Sequence, residues 1–241
     1  MSIALSNSSG KGSVLSFKRP NLPDSFAVRD ELTRNLVAIG FLFAEHPSQE
    51  EPNIEHTLVA ASIEGLAGDY RALSLLVDWI PIHFDQVNVD LLVKIVKALP
   101  DKKIKAFWSS IGKWQGKDPR LKRLARIYRG PRLPILDEKL IRFPLQRDGE
   151  DTRFLGTNLI VPGRMLRHRP KDIADCASVA RNHLGYRYRL IIGPTYRADM
   201  WAALERHSTL TPSDLARKCY GSFSTAWNVR KDWEVIRKIA V

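Results

Sequence analysis

Five side chains near the C-terminal end have the chemistry to hold a nucleic acid: Ser224, Thr225, Asn228, Arg230 and Lys231. An asparagine amide can make two hydrogen bonds to one adenine edge, hydroxyls bond to bases or phosphates, and cations suit phosphate oxygens. Opposite them, Ala226, Val229, Trp233 and Ile236 recur at spacings of three and four. That period predicts a helix from Ser222 to Ile239 with one buried and one offered face. A second cationic group, Arg164, Arg167, Arg169, Lys171, Arg187 and Arg189, is mostly arginine. The planar guanidinium suits bidentate contact with phosphate or guanine. A third, Arg120, Lys122, Arg123 and Arg126, covers one side of the stretch DPRLKRLARIYRG, whose Leu121, Leu124, Ile127 and Tyr128 turn inward. Before it come Lys102, Lys103, Lys105, Lys113 and Lys117, with Trp108 and Trp114 among them. Cations interleaved with rings suit a phosphate-tracking surface, although the two tryptophans read better as core.

The distribution of charge points the same way. The chain of 241 residues carries a formal net charge of +12. Residues 1–100 hold 8 Lys and Arg against 12 Asp and Glu, a net −4. Residues 101–241 hold 30 against 14, a net +16. An excess of that size on one half suits a polyanion, duplex DNA first among them, while the acidic first half offers a surface for a protein partner. No basic amphipathic stretch with exposed Leu or Phe suggests a membrane surface, and the longest apolar run, Leu36 to Ala44, is too short to span one. With no secretory signal at the start, a cytoplasmic protein is expected. Lys11, Gly12 and Ser13 lack the first glycine and the preceding strand of a phosphate loop.

Catalytic chemistry finds little support in the sequence. The histidines at 46, 56, 83, 168, 183 and 207 show no metal-binding or acid–base spacing. Cys176 and Cys219 fall on apolar faces and read as small core residues. Asp172 and Asp175 suit the end of a helix better than acid catalysis. No enzyme, metal or cofactor is expected.

The elements that must position these groups fall into four parts. Residues 1–23 read as a flexible arm. Residues 24–130 read as an all-helical domain, with helices from Asp24 to His46, after Asn53, from Asp69 to Pro81, from Asn88 to Pro100, from Asp101 to Trp114 and from Asp118 to Tyr128. Residues 131–152 are a proline-rich linker, docked through Leu133, Ile135 and Leu136. Residues 153–241 form a small basic α+β domain: a strand at 158–161 that pairs with 165–169, a helix at 171–183, a strand at Tyr186–Ile192 and a helix from Thr195 to His207. The fold class is therefore mainly α.

The end of the chain, TLTPSDLARKCYGSFSTAWNVRKDWEVIRKI (Thr209 to Ile239), resembles a helix-turn-helix DNA-binding motif. Leu215, Ala216, Cys219, Ala226 and Val229 carry the likeness, with Ala216 where two crossing helices need a small residue. Tyr220 stands where such turns use glycine, and Gly221 comes one residue late. The resemblance implies a second helix that lies in the major groove, and a homodimer that meets two half-sites. Two further segments, Leu73 to Val96 and Arg169 to Ala177, resemble the antitoxin-type transcriptional regulators of AbiE-like abortive-infection systems. Those carry their DNA-binding domain at the N-terminus, whereas here it is C-terminal. The expectation is a bacterial DNA-binding transcriptional regulator, antitoxin-like, in antiviral defence. The alternative is a non-catalytic accessory subunit of a defence or RNA-processing complex that binds backbone without reading sequence.

Overall fold

The computed structural model describes residues 23, 25–116 and 118–239. The expected arm up to residue 22, the expected helix start at Asp24 and the Lys117 cation lie outside the described residues. The fold is mainly helical, with 12 α-helices and one pair of short parallel strands among the described residues. Six helices come first: α1 (Arg29–Ala38), α2 (Ile54–Ala67), α3 (Tyr70–His83), α4 (Val89–Ala98), α5 (Lys102–Trp114) and α6 (Lys122–Ala125). Then follow β1 (Leu133–Pro134), α7 (Glu138–Asp148), β2 (Leu159–Ile160), α8 (Cys176–Asn182), α9 (Leu184–Ile192), α10 (Tyr196–Arg206), α11 (Pro212–Lys218) and α12 (Phe223–Ile239).

Local chemistry starts most of these helices where the sequence says it should. The side chains of Asn53, Asp69, Asn88 and Asp101 accept hydrogen bonds from the first free backbone N–H groups of α2, α3, α4 and α5. Asp175 does the same for α8, so that helix opens at Cys176 and not at Lys171. The first helix is shorter than its apolar period suggests. It ends at Ala38, because Gly40 takes φ +104° and Phe41 then bridges antiparallel to Ile173. A side chain at Gly40 would also meet Val179 at 2.6 Å. Pro81 does not stop α3, which absorbs it in its last turn.

Three expectations after residue 130 are corrected. The stretch 131–152 contains β1 and α7, and Ile135 and Ile141 are buried in the main core. β2 pairs in parallel with β1, Leu133 opposite Leu159, and not with residues 165–169. Tyr186–Ile192 is helical. Its Tyr-Arg-Tyr-Arg alternation mimics a strand, but Tyr186 and Arg189 are buried three residues apart, which is helical spacing, while Arg187 and Ile191 face out. His183 caps this helix by accepting from the Tyr186 N–H.

Two apolar clusters organise the molecule. The larger runs without a break from Leu32 to Tyr186 and is centred on Trp79, Trp108, Phe41, Phe107 and Phe154. The polar ends of its tryptophans are paired: Trp79 donates to the Ile39 carbonyl at 2.8 Å and Trp108 to the Ser62 hydroxyl at 3.0 Å. Ser109 and Ser110 tie α5 to Ala125 and to the β2 backbone. The smaller cluster holds α10, α11 and α12 together through Met200, Leu204, Leu215, Ala216, Cys219, Ala226 and Val229.

Candidate nucleic-acid interface

α10, α11 and α12 form a three-helix unit whose last two helices meet across a tight turn. Thr211 caps α11 and Ser222 caps α12, each accepting from the N–H three residues on. In the turn Tyr220 takes φ +56°, a left-handed conformation that costs a tyrosine more than a glycine. Gly221 serves a different need. A side chain there would run into the end of Met200 and crowd Tyr196, so its absence lets the turn press against α10.

The unit is fastened to the body of the protein. The Tyr220 ring meets His56 of α2 edge-on, with centroids 4.7 Å apart. Lys94 of α4 donates to the Tyr196 hydroxyl at 2.8 Å and lies over that ring. Arg206 pairs with Glu51. Deeper in, Arg189 of α9 is only 2% exposed. Its five N–H donors meet five acceptors: the Glu55 carboxylate at 2.7 and 2.9 Å, the Asp199 carboxylate at 2.8 and 3.1 Å, and the Gln86 carbonyl at 2.9 Å. Glu55 also accepts from the Asn88 N–H at 2.7 Å. Burial pushes the Asp199 carboxyl up, while the adjacent Arg189 guanidinium pulls it back. One buried arginine thus joins α2, α9 and α10.

α12 is about 25 Å long at 1.5 Å per residue. Ala226 and Val229 are fully buried on its inner side and Trp233 half-buried. Ser224, Asn228 and Lys231 are exposed on the opposite side, and no side-chain partner engages them among the described residues. Thr225 instead shares a hydrogen bond with the capping Ser222 at 2.7 Å. Arg230, expected to touch nucleic acid, is turned back. Its guanidinium donates to the carbonyls of Ser208 and Leu210 and pairs with Glu234 at 3.0 Å, stapling α12 to the loop before α11. Ile236 leaves the apolar face as well. Residues 234–239 are all exposed, since the last turns of α12 extend past the helices that cover its start.

The other expected contacts sort by whether their charge is already spent. Arg189 is buried as described and is unavailable to a polyanion. Arg187 is exposed, but it donates to the Ala180 and Arg181 carbonyls at 2.9 Å. Arg120 pairs with Asp118 and Asp85, and Arg123 with Asp90. Arg164 and Arg169 lie 3.6 and 3.7 Å from Asp148 and Asp172. Lys122, Arg126, Arg167 and Lys171 are exposed with no ion-pair partner among the described residues. The loop that holds Arg164, Arg167 and Arg169 is clasped to α3 by the buried Asp78, which accepts from His168 at 2.8 Å and from the Arg169 N–H. No hydrogen bond or ion pair among the described residues joins that loop to α12. The α6 group is closer: Arg123 pairs with Asp90 of α4, and one helical turn on Lys94 reaches α10.

Two features escaped the reading of the sequence. Glu55, the fully buried partner of Arg189, leaves no mark in a helix that is apolar almost all round. Phe223 and Trp227 are 48% and 58% exposed on α12. Their position off the Ala226–Val229–Trp233 face was visible in the spacing. No family model, no curated protein and no solved structure matches the chain.

Proposed function

We propose that the chain is a DNA-binding protein of the transcriptional-regulator type, which lays the outer face of α12 in the major groove in the manner of a helix-turn-helix. The observation that carries this reading is that face: Ser224, Asn228 and Lys231, exposed and unengaged on a helix anchored behind by Ala226 and Val229. Recognition requires a rigid helix with free donors and acceptors, because base edges accept only well-placed groups. The fastening of the unit through Tyr220, Tyr196 and Arg189 supplies that rigidity. Lys122, Arg126, Arg167 and Lys171 provide charge for phosphates. A homodimer would place two copies of α12 on half-sites roughly 34 Å apart.

A second reading is favoured by one observation: most of the unengaged cations named for this surface lie outside α12. A backbone-binding accessory subunit would use them without reading bases. Selection from a random duplex pool, followed by binding to the selected site and to random DNA, separates the two. On the regulator reading Asn228→Ala costs about 1–3 kcal/mol on the selected site and little on random DNA. Lys231→Ala weakens both. If no site emerges and binding merely fades with salt, the backbone-binding reading stands instead.

A further inference from the structure

To one side of the Asn228 face, α12 also leaves two aromatic rings bare. Phe223 and Trp227 stand one turn apart, with ring centroids 6.3 Å apart and planes tilted by 32°. The small core beside them has taken in other rings, since Trp201 and Trp233 pack against it. Large rings left half in water on a structured helix mark a contact surface.

We infer that Phe223 and Trp227 are a stacking platform for an unpaired nucleobase, so that the nucleic acid engaged by α12 has a base out of its stack. The inference rests on the reading of α12 as the nucleic-acid face. Three observations favour a base over other occupants. Lys231 lies one turn beyond Trp227 on the same side of the helix, so a cation flanks the ring. A cleft of about 300 Å³ opens next to Trp227, lined by Thr209, Thr211, Pro212, Lys231 and Glu234. It offers the Thr209 hydroxyl and the Lys231 ammonium for a polar edge. The surrounding half of the chain carries 30 Lys and Arg against 14 Asp and Glu, which suits a phosphate backbone. The other exposed apolar residues of α12, Val235, Ile236 and Ile239, lie two turns further on and are rotated from Trp227 by roughly 80° or more.

The test uses the full chain and three ligands of one sequence: a perfect duplex, the same duplex with one unpaired 2-aminopurine, and the single strand. Stacking on an aromatic side chain predicts that the bulged duplex binds roughly 5- to 100-fold more tightly than the perfect duplex, while the single strand, which offers α12 no major groove, gains less. The 2-aminopurine fluorescence should be quenched on binding. Trp227→Leu keeps apolar bulk without a ring. It should lose both the preference and the quench, keep its affinity for the perfect duplex, and melt like the parent. Trp227→Phe should retain most of both. Equal binding of all three ligands without a quench overturns the inference and leaves the duplex-binding reading intact. So does a Trp227→Leu variant that binds and quenches like the parent. A dimer that Trp227→Leu turns into a monomer, with the ligand preference unchanged, identifies the rings as a contact between copies and also overturns it. If none of the three ligands binds, the nucleic-acid reading itself fails, and the stacking inference with it.

Discussion

Replacing Arg189 by methionine tests whether the three-helix unit is held to the body by a buried charge. The substitution keeps the length and most of the volume of the stem but removes five donors and one positive charge. Glu55 and Asp199 would then face one another in a buried space, with only the Asn88 N–H still donating to Glu55. Breaking a buried pair by deleting one partner costs about 3–5 kcal/mol, because the remaining charge stays uncompensated. For a chain of this size that corresponds to a fall in melting temperature of roughly 6–20 °C. Arg189→Lys should cost less, since it keeps the charge but loses the fork that serves both carboxylates. The variant should also respond to acid in a distinctive way. With the guanidinium gone, burial and the facing Glu55 carboxylate act on Asp199 and raise its carboxyl further. A carboxyl whose folded pKa lies above its unfolded value destabilises the protein as pH rises through that range. The deficit of Arg189→Met should therefore be largest at neutral pH and narrow toward pH 5. Thermal melts of parent and variant at pH 7 and pH 5 read both effects. A loss under about 1 kcal/mol at pH 7, or a deficit that widens in acid, would refute the argument. Nucleic-acid affinity measured on the folded fraction should be unchanged, since Arg189 does not reach the surface.

Acid should destabilise the parent protein progressively between pH 6.5 and pH 4. Burial lowers His56, His83 and His183 from 6.5 to about 4. Their folded pKa values are depressed, so stability is full above pH 6.5 and falls between 6.5 and 4, by about 2 kcal/mol per histidine at pH 5. Thermal melts across this pH range check it, and a melting temperature that stays flat down to pH 4.5 contradicts it. Gly221→Ala should destabilise the three-helix unit by about 1 kcal/mol, because the added methyl displaces the buried end of Met200 and crowds Tyr196. In a Met200→Ala background Gly221→Ala should cost less than it does in the parent, and failure of the pair to couple in melts would show that the turn does not press on α10 as described.

Much of the helical framework was legible because its cues are local. An Asn or Asp side chain caps the helix that follows it whatever lies across the core, so Asn53, Asp69, Asn88 and Asp101 mark their helices from the sequence alone. The inner face of α12, with Ala226 and Val229, was legible for the same reason: helical period is a property of neighbours in the chain. Residues 186–192 show where local cues fail. Two-residue alternation of Tyr and Arg fits a strand and a short helix alike, and only the burial of Tyr186 and Arg189 on the same core settles which forms.

The sequence by itself determined the capped helices α2 to α5, the buried face of α12 and the concentration of positive charge after residue 100. The tertiary structure alone decided which of those charges are free. An arginine reads the same in sequence whether it is solvated, as Arg167 is, turned back on carbonyls, as Arg230 is, or buried between two acids, as Arg189 is. The acids and carbonyls that decide the matter lie up to 134 residues away in the chain for Arg189 and Glu55. Charge pairing depends on distance in space, and only the folded chain fixes that distance.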